Sequence, residues 1–299
     1  MSLHSDDVPR LACPSCRGTL LWEGVEPRGA LRDGLLRCGG CSARWPVVAG
    51  TPRLYEEELV RGKDRLLRTI YDGLPSLHDP LTTLLTPVLQ GISESAGRDV
   101  YMRRIDLASA EPPPGRPLRI LETGIGGGAN LPLIRRDLAG REAEIWGVDL
   151  SIGMLRECEK AVRKGRYEGV RLLMADAHAL PFPDGSFDRV FHVGGIGGYR
   201  DARKALAEMA RVAVPGTPIV VVDEQLDRGR SHSLLHRAAF WAITFYEPDS
   251  KSPRALLPAG AEGIVDEQGS RFYYCLTFHM PAMPEPARQS PGGGGEALP

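Results

Sequence analysis

A chain of 299 residues with 37 lysines and arginines against 38 aspartates and glutamates carries a formal charge of −1, which excludes the strong basic field of a typical nucleic-acid binder. Hydrophobic residues make up 42% of it, ample for a packed core, so the length and composition describe a globular protein with one full domain and a smaller element. No stretch approaches the roughly 20 apolar residues needed to span a bilayer, and Met1-Ser-Leu-His-Ser-Asp-Asp7 has no basic region followed by an apolar run, so a cytoplasmic location is expected.

Four of the six cysteines lie near the amino terminus, as Cys13-Pro-Ser-Cys16 and Cys38-Gly-Gly-Cys41. Two such knuckles bring four thiolates around one tetrahedral zinc ion, and Gly39 and Gly40 permit the tight turn that points backbone amides at sulfur. Disulfides or a redox pair are the competing readings, but no secretory signal is visible and no βαβ pattern surrounds either knuckle. With Cys13, Cys16, Cys38 and Cys41 all ligating, no coordination position stays open, so the expected zinc is structural. The segment ending Arg44-Trp-Pro-Val-Val-Ala-Gly-Thr-Pro-Arg-Leu54 resembles the zinc ribbon of the tRNA-methyltransferase activator family, with Trp45 in place of a tyrosine. Residues 1–54 are therefore expected to form a small zinc-ribbon domain, and Cys158 and Cys275 to act as small buried hydrophobes.

From Tyr55 the chain is rich in leucine and charge at helical spacing, interrupted by Pro75, Pro80 and Pro87, which predicts a helical connector over residues 55–114. Glu111-Pro-Pro-Pro-Gly-Arg-Pro117 marks a stiff linker into a first strand. That strand runs through Arg119-Ile-Leu-Glu122-Thr-Gly124-Ile-Gly126-Gly-Gly128-Ala-Asn130, where glycines let the backbone turn sharply and approach a ligand. The spacing also fits a dinucleotide fingerprint, but a carboxylate at Glu122, two residues before the first glycine, would repel a pyrophosphate and suits a cationic ligand.

Ile145-Trp-Gly-Val-Asp149-Leu150 and Leu172-Leu-Met-Ala-Asp176-Ala177 read as second and third strands ending in acids, and Arg189-Val-Phe-His-Val193 and Pro218-Ile-Val-Val-Val-Val-Asp223 as a fourth and fifth. Helices are predicted over 129–138, 152–164 and 201–212, with an inserted helical stretch over 231–246. The alternation implies a parallel sheet covered on both faces. Runs at 263–268 and 272–280 form a closing antiparallel hairpin. The residues after 282, with Gly292 to Gly295 in a row, lack the means to bury area and are expected to be a disordered tail over 283–299.

In its order of strands, glycine turn and acids, the stretch 115–282 resembles the class I S-adenosylmethionine-dependent methyltransferases, most closely the group containing the ubiquinone and menaquinone biosynthesis enzymes. The resemblance implies an α/β, Rossmann-like seven-stranded sheet as the catalytic domain, preceded here by the zinc ribbon and the connector, which would serve as a lid. It implies that Glu122 faces the methionine end of the cofactor, that Gly124, Gly126 and Gly128 form the floor, that Asp149 beside Leu150 holds the ribose, and that Asp176 with the amide of Ala177 reads the adenine edge. Ile70-Tyr71-Asp72 resembles the Tyr-Asp element ahead of this core, which would bring Tyr71 onto the cofactor. Val214-Pro-Gly-Thr217 departs from the Lys-Pro-Gly-Gly turn of many relatives.

Methyl transfer from a sulfonium relies mainly on alignment and exclusion of water, although a phenol, enol or protonated amine acceptor also needs a base. Of His192, Tyr199, Asp223, Glu224 and Glu247, His192 is the preferred candidate, because it ends the fourth strand beside the flexible Gly194-Gly-Ile-Gly-Gly198. The leading expectation is a methyltransferase using S-adenosylmethionine on a small or lipid-like, hydrophobic acceptor. One alternative is an rRNA or tRNA methyltransferase whose zinc ribbon helps to bind RNA, disfavoured by 11 basic against 9 acidic residues within the first 70. The other is a non-catalytic cofactor-binding scaffold.

Overall fold

The computed structural model describes residues 3–24, 29–73, 75 and 94–282. Residues 76–93, with Pro80 and Pro87, and the tail 283–299 lie outside the described residues. Strands β1 (Leu20–Gly24), β2 (Gly34–Cys38), β3 (Arg44–Val48) and β4 (Thr51–Leu54) come first, followed by helices α1 (Lys63–Gly73) and α2 (Glu94–Ile105). The alternating core then runs β5 (Leu118–Thr123), α3 (Leu131–Leu138), β6 (Ala143–Asp149), α4 (Ile152–Gly165), β7 (Val170–Ala175), β8 (Arg189–Val193), α5 (Ala202–Val212) and β9 (Ile219–Glu224). Helix α6 (Leu234–Ile243) and the hairpin strands β10 (Glu262–Gln268) and β11 (Tyr273–His279) close the chain.

All these strands lie in one sheet, ordered β1-β2-β3-β4-β7-β6-β5-β8-β9-β11-β10. From β7 to β9 the pairs are parallel, and β11 runs antiparallel between β9 and β10. The expected seven-stranded sheet is thus corrected to an 11-stranded one. The extra four strands come from the amino-terminal segment, because β4 pairs in parallel with the open edge of β7, setting Arg53 against Met174 and Leu54 against Ala175. Covering that edge satisfies backbone groups that would otherwise stay unpaired.

Neighbouring residues on the central strands point to opposite faces, as a pleat requires. Leu121, Trp146, Val190 and Val221 join one core cluster, and Ile120, Ile145, Phe191 and Val220 join the other. The first cluster continues without a break into Leu3, Leu20, Leu36 and Trp45 of the amino-terminal segment. Trp146 meets Phe182 edge-on at a centroid separation of 5.5 Å, and the Ala12 amide donates to the Pro181 carbonyl at 2.9 Å. Ion pairs back this seam: Asp7, itself buried, accepts from Arg171 at 2.6 Å and from Arg10 at 3.0 Å, and Arg10 reaches on to Glu144.

The sheet order reverses direction at β5, whose two neighbours are β6 and β8. In open α/β sheets such a switch point leaves a crevice beyond the carboxyl ends of the strands. Helix α1 is latched across that end. The Asp72 carboxylate accepts from the Ser151 hydroxyl at 2.6 Å and the Gly153 amide at 3.0 Å, while Ser151 caps α4 by accepting from the Met154 amide. At its other end Asp64 pairs with the Arg200 guanidinium and accepts from the Arg200 amide at 3.0 Å. Among the described residues no helix is long and apolar enough to cross a membrane.

The close approach of α1 to α4 depends on Gly153, where a β-carbon would fall 2.9 Å from Asp72 Cα and 3.0 Å from the Tyr71 carbonyl oxygen. Both obstacles are backbone, so neither can rotate away. Gly153→Ala is expected to push α1 off and to destabilise the fold by about 1–3 kcal/mol, read as a lowered midpoint in urea. An unchanged midpoint would mean that α1 does not dock in this way.

Candidate active site

The first turn after β5 owes its shape to glycine. Gly124 and Gly128 have φ of +69° and +82°, and β-carbons there would fall 3.1 Å from His192 Cε1 and 2.9 Å from Cys158 Sγ. Conformation and space both demand glycine. The amides of Gly124 and Ile125 donate to the Val148 carbonyl, and the Gly126 amide donates to the Asp149 carboxylate at 2.9 Å, which ties the loop to the end of β6.

A cavity of about 520 Å³ opens beyond these strand ends. Glu122, Gly124, Gly126, Asp149, Leu150, Asp176, Ala177 and Tyr71 all line it, whereas Gly128 and His192 do not. Glu122 is 1% exposed. One of its oxygens accepts from the Asn130 side chain at 2.6 Å, and the other is buried with no hydrogen-bond partner among the described residues. Burial pushes its carboxyl up to about 8, although the Asn130 bond works against the rise. Asn130 is held in turn, accepting from Arg98 and from the Tyr101 hydroxyl, each at 2.7 Å.

Asp149 is also raised, to about 6, by burial that the amides of Ser151 and Gly126 only partly offset. Asp176 behaves oppositely: burial would raise it, but His178 and Arg200 outweigh burial and hold it at about 2. Its two oxygens are engaged by His178 Nδ1 at 2.5 Å and by Arg200 at 2.6 Å. Arg200 thereby joins the end of β7 to Asp64 on α1.

His192 lies under the loop. Its Nδ1 donates to the Thr123 carbonyl at 2.7 Å, its Nε2 is buried with no partner among the described residues, and burial lowers its pKa, favouring the neutral ring. The ring packs against Gly124 instead of forming the cavity wall, so its place in the chain, at the end of the fourth strand, was a poor guide to its direction. Asp223 is likewise taken up, accepting from the amides of Gly195 and Gly197 at 2.7 Å each and so fixing the glycine loop after β8.

Glu224 does reach the cavity. It accepts from the Tyr246 hydroxyl at 2.9 Å, and burial together with the neighbouring Asp223 raises its carboxyl well above the ordinary range. The wall around it is apolar and aromatic, with Leu67, Val193, Ile243, Phe245 and Tyr273. Sequence reasoning missed Asn130, Arg98, Tyr101 and Arg200. Asn130 ends the quoted loop motif and was within reach, whereas Arg98 and Arg200 carry no local signal.

The four amino-terminal cysteine sulfurs lie within 4.8 Å of one another, with Cys13 to Cys41 at 3.7 Å and Cys16 to Cys38 at 3.4 Å. The amides of Gly40 and Cys41 donate to Cys38 Sγ at 3.3 and 3.4 Å, and the Gly18 amide donates to Cys16 Sγ at 3.4 Å. The spacing matches the roughly 3.8 Å between ligands of a tetrahedral ion bound at about 2.3 Å.

Residues 121–221 match the family profile described as a methyltransferase domain. The segment is similar to that family over about a third of the chain. Over 151 residues the chain is 36% identical to the demethylmenaquinone methyltransferase of Thermus thermophilus, covering 50% of this chain and 66% of that one. It is 34% identical over 156 residues to the ubiquinone/menaquinone biosynthesis C-methyltransferase of Marinomonas, covering 52% and 57%. The chain thus spans just under two thirds of the former and less of the latter. Among solved structures, phosphoethanolamine N-methyltransferase 2 of Haemonchus contortus, in complex with S-adenosyl-L-methionine, aligns with a TM-score of 0.53 at 14% identity, over 77% of this chain and 62% of that one. That likeness is one of fold. The matched segment contains Glu122, the glycine loop, Asp149, Asp176 and His192, while Tyr71, Arg98 and Glu224 lie outside it.

The raised acids fix the sign of a pH dependence. Glu122 and Asp149 bind protons more tightly when folded than in the unfolded chain, so stability falls as pH rises from about 4 towards 8. Urea unfolding across this range should show the decline. Glu122→Gln should flatten its upper part, between about pH 6 and 8; the same slope in both proteins would contradict the assignment.

Proposed function

We propose that the protein is an S-adenosylmethionine-dependent methyltransferase acting on a small or lipid-like hydrophobic acceptor, with a structural zinc ion in its amino-terminal cysteine cluster. The observation that carries the reading is the buried oxygen of Glu122 in the cavity wall, partnerless among the described residues, next to a glycine turn and a second strand-end acid. A buried carboxylate without a partner is costly, and a cationic ligand relieves that cost.

Glu122 would hold the ammonium end of the cofactor, the turn at Gly124 and Gly126 its middle, and Asp149 the ribose hydroxyls. Asp176, fixed by His178 and Arg200, would present an anionic edge to the adenine alongside Ala177, with Tyr71 covering the site from α1. The bound cofactor supplies an activated methyl group whose leaving group is a neutral thioether. The chain's own task is then alignment and exclusion of water, which α1 and the aromatic wall support.

On the acceptor side Glu224 and Tyr246 form a hydrogen-bonded pair beside Leu67, Val193, Ile243 and Phe245. Burial and the neighbouring Asp223 favour the protonated form of Glu224, so its role would be to orient an acceptor oxygen by hydrogen bonding and not to remove a proton. His192 serves as a positioning residue, holding the Thr123 carbonyl under the cofactor loop. The two sequence relatives named above are quinone-pathway methyltransferases, and the apolar and aromatic residues around Glu224 and Tyr246 suit an acceptor of that class.

Calorimetric titration with S-adenosylhomocysteine tests the cofactor site. The unmutated protein should bind, and Asp149→Ala should weaken binding by about 10-fold or more through loss of hydrogen bonds. No heat from the unmutated protein would contradict the whole reading. For the ribbon, elemental analysis should find zinc at about one ion per chain, and Cys38→Ser should lose it together with several kcal/mol of stability; a metal-free protein that unfolds cooperatively at the same midpoint would rule the zinc out.

A further inference from the structure

Helix α6 has the wrong surface for water. Its sequence, Leu234-Leu-His-Arg-Ala-Ala-Phe-Trp-Ala-Ile243, is almost wholly apolar, yet Phe240 is the one buried residue in it. Leu234 is 87% exposed, Leu235 67%, Trp241 63% and, just beyond the helix, Phe245 47%. Helices apolar on nearly every side are ordinarily covered, and exposed patches of this kind mark interaction surfaces. The same stretch also forms the cavity wall, through Ala242 and Ile243 of the helix and Phe245 just beyond it. Across the cavity, α1 adds the exposed Leu66 and Ile70, of which Ile70 is again a lining residue. Charge is graded around this patch: from Arg228 to Tyr246 there is no acid, and Arg228, Arg230 and Arg237 are all exposed, although Arg230 is paired with Asp227 at 2.8 Å.

We infer that α6 docks the protein onto the surface of an anionic lipid bilayer. Leu234, Leu235 and Trp241 enter the headgroup boundary, and the three arginines meet the lipid phosphates. A lipid bilayer satisfies both features at once, burying bulky apolar side chains beside a layer of negative charge. Docking in this way sets the cavity wall against the pool in which a lipid-like acceptor dissolves, so the inference deepens the proposed acceptor class and rests on it.

The test is flotation of the full-length protein with vesicles of phosphatidylcholine, with and without phosphatidylglycerol, followed through the fluorescence of Trp241, the one exposed tryptophan of the four. Binding to the anionic vesicles, weakened by salt and accompanied by a blue shift, is expected. Leu235→Glu combined with Trp241→Glu should reduce it about 10-fold or more, and Arg228, Arg230 and Arg237 changed to alanine should remove the preference for anionic lipid. S-adenosylhomocysteine binding is measured on the same preparations. Cofactor binding without vesicle binding would overturn the docking alone, whereas loss of cofactor binding in the unmutated protein would overturn the methyltransferase reading. A concentration-dependent dimer disrupted by the Leu235 and Trp241 substitutions, with no vesicle binding, would assign the patch to a second copy of the chain and overturn the inference.

Discussion

A carboxylate buried at the end of the central strand governs the rest of this site. Glu122 has one oxygen committed to Asn130 and one with no partner among the described residues, and the side chain is almost fully buried. Such a group is tolerated only if something compensates for it. Part of the compensation is internal, since the carboxyl rises to about 8 and takes up a proton in the unliganded protein. The rest is structural, because Asn130 is fixed by Arg98 and Tyr101 of α2, which brings a positive charge to the same corner. The order of the strands follows the same logic: with β5 at the switch point, Glu122 opens into a crevice instead of ending against a neighbouring element.

Around that centre the chain builds a frame that is tied at several places. The amino-terminal strands extend the sheet from β7 and share its core, so the cysteine cluster belongs to a segment that is continuous with the sheet carrying the site. Helix α1 is held from both ends, by Asp72 on the cap of α4 and by Asp64 on Arg200, and Arg200 also grips Asp176. One guanidinium therefore links the cover of the cavity to one of the acids in its wall. The Gly194–Gly198 loop is pinned through Asp223 in a comparable way.

Much of this was legible in the chain because it is local. The glycine turn, the acids at the ends of β5, β6 and β7, the paired cysteine knuckles and the closing hairpin each depend on residues close together in sequence, and each lies where its spacing predicted. What escaped depends on distant pairings. No pattern within residues 1–54 announces that β4 will find the edge of β7, so the sheet grew beyond seven strands. Arg98 and Arg200 become important only after α2 and the loop following β8 have been brought to the cavity. His192 shows the limit most clearly: its position at a strand end was right, but pleat alternation and the missing β-carbon of Gly124 place its ring below the loop. Glu224, one residue beyond the apolar run of β9, reaches the cavity, while Asp223 beside it turns to the loop amides.

The central claim is that Glu122 waits for a cation. Calorimetry of S-adenosylmethionine binding near pH 7, in buffers of differing ionisation enthalpy, measures the protons exchanged on binding. With its carboxyl at about 8, Glu122 is mostly protonated before the ligand arrives and ionised once paired with the ammonium, so release approaching one proton is expected, and it should vanish in Glu122→Gln. Binding with no proton release, or the same release from both proteins, would contradict the account.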